Sequence, residues 1–118
     1  MKLLIFTSLL VELLLYPSVN VTVTAYSPKV NQTDFTPYIT ASNKRVSVGY
    51  VALSRDLEKR YCLKFGGTIF LKGLGFFEFQ DRMNRRKKNW VDIFYFSTKK
   101  AKKFGIKKNV NLIILKKE

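Results

Sequence analysis

The spacing of apolar residues changes character along the chain. From Leu3 to Leu15 they run almost unbroken, interrupted by Glu12 and closed by Pro17. After Pro17 they alternate. In "VNVTVTAY" (Val19 to Tyr26) the apolar residues Val19, Val21, Val23 and Ala25 alternate with Asn20, Thr22 and Thr24, the two-residue period of a strand with one buried face. The segment "SPKVNQTDFTPYITASNKRV" mixes two prolines with Ser, Thr and Asn and predicts a long ordered loop. "GYVALS" (Gly49 to Ser54) predicts a second strand. In "RDLEKRYCLKF", Leu57, Tyr61 and Phe65 stand at helical spacing, which predicts a short helical connection ending at Gly66-Gly67.

"TIFLKGLGFFEFQD" predicts a hairpin, two strands around a Gly-Leu-Gly turn. "WVDIFYFS" (Trp90 to Ser97) is aromatic and β-branched, as a central strand is. "TKKAKKFG" predicts a helical turn or two, with Thr98 as N-cap and Gly105 as the stop, and "NVNLIIL" a last strand. Short strands with one or two short helices predict an all-β fold, a small six-stranded barrel whose closure removes exposed edges. No repeat or linker divides residues 19–118, so they are expected to form one domain behind an N-terminal run at 1–18.

Composition narrows the function. The chain has 118 residues, 47% of them hydrophobic, which suits a globular fold with a modest core. Its 22 Lys and Arg against 8 Asp and Glu give a net charge of +14 and point to an anionic partner. Nucleic acid, an acidic membrane face and an anionic cell-wall polymer all satisfy that charge. There is no histidine, which excludes Ser-His-Asp and Cys-His catalysis and histidine metal ligands. Cys62 is the only cysteine, so no intramolecular disulfide or thiolate zinc site can form; it is expected to pack. Acid-base chemistry falls to carboxylates, lysines and tyrosines. Lys2 and the apolar run after it have the length of a signal-peptide core, shorter than the ~20 residues of a membrane span. They predict an export signal or uncleaved anchor; the plainer alternative is a helix packed on the domain.

In "QDRMNRRKKNWVDIF" two acids, Asp81 and Asp92, flank the most basic segment of the chain. If their strands pair, both carboxylates reach the same end of the barrel. Strand alternation sets Asp92 on one face with Trp90, Phe94 and Phe96. A carboxyl buried among aromatics has its pKa raised, as a general acid for glycoside cleavage requires, while nearby Arg and Lys lower it. A structural ion pair is the competing reading of the same spacing.

"VTVTAYSP", "DFTPYITASNKRV", "VALSRD" and "QDRMNRRKKNWVDIFYFSTKKAKKFGIKK" together resemble, in this order, the three-aspartate (3D) domain of bacterial cell-wall proteins, over about Val21 to Leu115. That domain is related to the catalytic barrel of membrane-bound lytic transglycosylase A and to rare lipoprotein A. The resemblance implies a double-psi β-barrel. It implies non-hydrolytic cleavage of peptidoglycan between N-acetylmuramic acid and N-acetylglucosamine, without metal or cofactor. Asp92 matches the catalytic acid, which turns base to close a 1,6-anhydro ring, and Asp81 matches the second family aspartate. Tyr26, Thr40 and Ser42 lie in segments that line the family's groove. Ser54 stands where the third aspartate is usual, with Asp56 two residues on, and "RMN" follows Asp81 where many relatives have Gly-Gly. Asp56 is therefore grouped with the substrate-binding residues.

The resemblance implies an exported, monomeric protein of the periplasm, cell envelope or exterior, whose partner is peptidoglycan or another anionic wall polymer. A non-catalytic wall-binding module on the same barrel is the alternative. Nucleic-acid binding is the weaker third reading, since the aromatics occupy strand positions that a small core needs. The lysines of "TKKAKKFGIKK" are expected to form a solvated face.

Overall fold

The computed structural model describes residues 16–27 and 39–115. The run Leu3 to Leu15 and part of the loop after the first strand lie outside them. The elements are β1 (Ser18–Tyr26), β2 (Tyr50–Leu53), α1 (Arg55–Arg60), β3 (Thr68–Leu71), β4 (Gly75–Arg82), β5 (Trp90–Phe94), α2 (Thr98–Phe104) and β6 (Lys107–Leu115).

The strands close into a barrel in the order β1-β5-β2-β4-β3-β6. β1 with β5 and β2 with β4 are parallel, and the other neighbours are antiparallel. Parallel neighbours cannot be joined by a tight turn, so the connections cross over the barrel. The expected six-stranded double-psi barrel with short helices is the fold observed.

Alternation decides which side chains face in. Val21 and Val23 of β1, Val51 and Leu53 of β2, Val91 and Ile93 of β5, and Leu112 and Ile114 of β6 join one core cluster. Full burial of each such side chain contributes about 1.5–3 kcal/mol. Their alternating partners, Thr22 and Thr24, Ala52, and Trp90 and Asp92, therefore face away from that cluster on the outside of the wall. The polar face of the "VTVT" pattern is thus the outer wall, and the site described below is built on it.

Several local expectations are corrected. β4 and β5 do not pair: β2 lies between them, and Met83 to Asn89 crosses it. The condition that the strands of Asp81 and Asp92 pair is not met, and the crossover costs little because the loop must span only two strand spacings, about 10 Å. The helical connection ends at Arg60 rather than at Gly66-Gly67. Cys62 takes φ 52° there, and Leu63 N–H donates to Glu58 C=O at 2.9 Å, closing the helix in a Schellman-type turn. Tyr61 and Phe65 pack on the core, so their spacing reflects packing without a continued helix. Cys62 itself is exposed, contrary to the packing role expected of it. β5 stops at Phe94, and Ser97 rather than Thr98 caps α2, its Oγ accepting from Lys100 N–H at 3.2 Å. Gly105, at φ 69°, ends α2 as expected. The lysines of α2 and of Lys107 and Lys108 are exposed.

Candidate functional site

The register aligns one row of residues across four strands. Thr24 of β1 is opposite Asp92 of β5, Asp92 opposite Ala52 of β2, and Ala52 opposite Asp81 of β4. A register shift between Val51 and Ala52 in the β2–β4 pairing brings Asp81, rather than Gln80, into this row. Gln80 is buried instead. The two carboxylates stand on either side of a methyl group, and nothing on β2 fills the space between them. The result is an open cleft of about 320 Å³ lined by Ala52, Asp81, Asp92 and Tyr26, with Arg82 at the end of β4 and Met83, Asn84 and Lys87 of the crossing loop.

Asp92 is half-buried in the cleft. Its Oδ1 accepts from Thr24 Oγ1 at 2.9 Å, and Thr24 Oγ1 accepts from Trp90 Nε1 at 2.8 Å. An indole nitrogen can only donate, so the Thr24 proton is directed at the carboxylate. Burial pushes the Asp92 carboxyl up to about 6, against the Thr24 hydrogen bond and the Lys87 charge, which pull it down; the Asp81 charge adds a smaller upward push. Burial thus outweighs the basic loop, the competition that the sequence left open. Lys87 Nζ sits 4.2 Å from the centre of the Trp90 ring, a cation–π contact that holds the ammonium beside the cleft.

Asp81 is held from the other side. Its Oδ1 accepts from Ala41 N–H and Arg82 N–H, each at 2.9 Å, and its Oδ2 accepts from Tyr26 Oη at 3.4 Å. Burial, then the charges of Asp81 and Asp92, push the Tyr26 phenol well above its usual value, so it remains a neutral donor. Its ring meets Phe94 edge-on at 5.6 Å. Arg82 is fixed by Glu58 through two bonds of 2.7 and 2.8 Å and covers the Phe65 ring at 4.5 Å.

The other residues singled out from the sequence are placed as follows. Thr40 is buried, and its hydroxyl closes the Ile39–Arg45 turn by bonds with Lys44 and Ser42. Ser42 N–H donates to Gln80 C=O at 3.2 Å, which docks this turn on β4 beside Asp81. Asp56 lies in the first turn of α1, outside the cleft lining, where it accepts from Asn89 N–H at 3.0 Å and pairs with Arg60 at 3.7 Å. Burial raises its carboxyl, but bonds from Ser54, Asn89 and the helix N–H groups outweigh this and hold it low. Ser54 is buried and accepts from Trp90 N–H at 3.0 Å. Among the described residues no group of three acids or cysteines could hold a metal ion.

Sequence reasoning missed Ala52, Lys87 and the Trp90–Thr24–Asp92 chain. The small side chain at an outward position of "YVAL" was the available signal for Ala52. The other two need the parallel β1–β5 register, which no local pattern encodes.

No protein-family model matches the chain, and no curated protein matches it. Among solved structures, the apo crystal structure of an expansin from Clavibacter michiganensis is similar, with a TM-score of 0.57 at 17% identity. The match covers 86% of this chain and 52% of that one, so this chain spans about half the length of the expansin it resembles. The likeness carries the fold and places the chain among double-psi β-barrels.

Proposed function

We propose that this barrel acts on cell-wall glycan, as a lytic transglycosylase of the 3D-domain type. The observation that supports it most is Asp92: half-buried in an open cleft, held by Thr24 and pushed up to about 6. A carboxyl poised there is protonated in enough molecules near neutrality to act as a general acid.

In this reading Asp92 delivers its proton to the glycosidic oxygen as the C1–O bond breaks. The leaving sugar departs with that proton. The carboxylate left behind takes the proton of the 6-hydroxyl, whose oxygen closes on C1 to give the 1,6-anhydro product, and Asp92 is protonated again. Asp81, two strand spacings away, accepts substrate hydroxyls and offsets positive charge at the anomeric carbon, while Tyr26 donates across the cleft. In this reading Asp56, Thr40 and Ser42 support the groove through α1 and the Ile39–Arg45 turn. The N-terminal run, as export signal or anchor, would deliver a monomer to the periplasm, envelope or exterior.

One observation favours a second reading, a non-catalytic glycan-binding module. Ser54, where the family's third aspartate is usual, turns its hydroxyl to Trp90 N–H and contributes no carboxylate to the cleft. An expansin-like barrel also suits a wall-polysaccharide-binding or loosening module. Digestion of purified peptidoglycan sacculi by wild type and Asp92→Asn, with products identified by mass spectrometry, separates the readings. Anhydro-muropeptides from wild type alone are the expected result. Retained sacculus binding with no product from either protein would leave the binding module as the account.

A further inference from the structure

On the far side of the crossing loop lies a second concavity, of about 480 Å³, lined by Arg55, Lys59, Arg60, Arg85 and Lys88. Among the described residues Asp56 is the one acid in that lining. Cations gathered around a hollow repel one another and focus a positive potential into it, so such a grouping is stabilised by an anion. Two of its arginines are held in place. Arg55 Nε donates to Met83 C=O at 3.1 Å, and Arg60 reaches Asn89 Oδ1 at 3.3 Å and Asp56 Oδ2 at 3.7 Å. Groups fixed before binding lose less freedom when a ligand arrives.

The chemistry of the lining indicates which anion. Guanidinium forks present paired donors to tetrahedral oxyanions, and the lysines add compact charge. Among the described residues no aromatic ring lines the hollow. The neighbouring Tyr61 ring already has Arg60 over it at 5.8 Å. A nucleic acid would find no platform on which to stack bases. We infer that this hollow binds the phosphodiester groups of a polyol-phosphate or sugar-phosphate polymer. The inference does not rest on cleavage in the cleft. The loop Met83 to Asn89 serves both places: Asn84 and Lys87 face the cleft, Arg85 and Lys88 the hollow. A phosphate polymer held in the hollow therefore lies beside whatever occupies the cleft.

The test is calorimetric titration of the full chain with poly(glycerol phosphate) at about 50 and 200 mM salt. Lys59→Gln/Arg85→Gln removes two cations whose side chains make no hydrogen bond or ion pair among the described residues. It should weaken binding at least ~10-fold and flatten the dependence of log affinity on log salt by roughly 1.4, about 0.7 per lost contact on a flexible polyanion. Lys99→Gln/Lys102→Gln removes the same charge from α2 and should change affinity less than ~2-fold by long-range screening alone. Asp92→Asn should bind as wild type does, whatever becomes of cleavage. Equal losses from both lysine-containing pairs would overturn the inference in favour of net charge. So would polygalacturonate of matched charge binding as tightly, or an oligothymidylate binding more tightly and losing that binding in Lys59→Gln/Arg85→Gln. Loss of binding in Asp92→Asn would place the polymer in the cleft and overturn it equally.

Discussion

Thr24 donates to the Asp92 carboxylate at 2.9 Å because its own oxygen is already engaged, 2.8 Å from the Trp90 indole nitrogen. β1 and β5 run parallel with Thr24 opposite Asp92, so the strand pairing that closes the barrel also orients the hydroxyl. The contact favours the charged carboxylate, and burial opposes it more strongly.

Thr24→Val keeps the strand and removes the hydroxyl. Asp92 then titrates above about 6, and the Trp90 indole N–H loses its acceptor, at a cost of about 1–3 kcal/mol. Carbon-13 detection of the Asp92 carboxyl across pH measures the first effect and denaturant unfolding the second. A downward move of the titration would refute this role for Thr24.

Lys87→Met keeps a stem over Trp90 and removes the charge. Because Lys87 pulls the Asp92 carboxyl down, its loss lets that carboxyl hold a proton to higher pH. The alkaline limb of sacculus cleavage should therefore move to higher pH. A fall in rate at every pH without such a shift would mean that Lys87 binds substrate instead.

The same carboxyl links stability to pH. Its folded value, about 6, lies above the ordinary 3.8, so the folded chain holds that proton more tightly than the unfolded chain. This contribution is fully present below the unfolded value and is lost as pH rises through about 6. Asp92→Asn carries no charge to desolvate. It should match wild type near the acid end and be more stable by about 3 kcal/mol above pH ~7. Urea unfolding of both proteins over that range reads the difference; parallel curves would mean that Asp92 is not desolvated.

Ala52→Leu tests the cleft itself. Ala52 is 4% exposed and separates the carboxylates, so a larger side chain must project into the space between them. Overpacking costs about 1–3 kcal/mol. The variant should fold with a lower Tm and lose most of its glycan binding. Binding retained at wild-type strength would place the glycan elsewhere.

How much of this could be read from the sequence differs by feature. Alternation in "VNVTVTAY" and "NVNLIIL" defined β1 and β6, because a residue facing a core must be apolar wherever its strand pairs. The end of α1 was misjudged by a few residues because Cys62, not glycine, takes the left-handed position there. Asp81 and Asp92 stood out by chemistry alone, a pair of acids in a basic segment. Their true relationship did not, since hairpin logic cannot anticipate that β2, from an earlier part of the chain, inserts between β4 and β5. Ala52 acquires its role only through that insertion.

The insertion also separates two jobs that a hairpin would have tied together. The distance between the carboxylates is fixed by the width of β2, not by the loop that joins their strands. Met83 N–H on Leu53 C=O and Asn89 C=O on Thr22 N–H, both within 3.0 Å, clamp the loop's two ends to the barrel. Between these clamps Asn84, Arg85, Arg86 and Lys88 are exposed. Mutations there can redraw what the protein grips while the carboxylate frame keeps its dimensions, which makes the loop a replaceable tool-head on a constant handle.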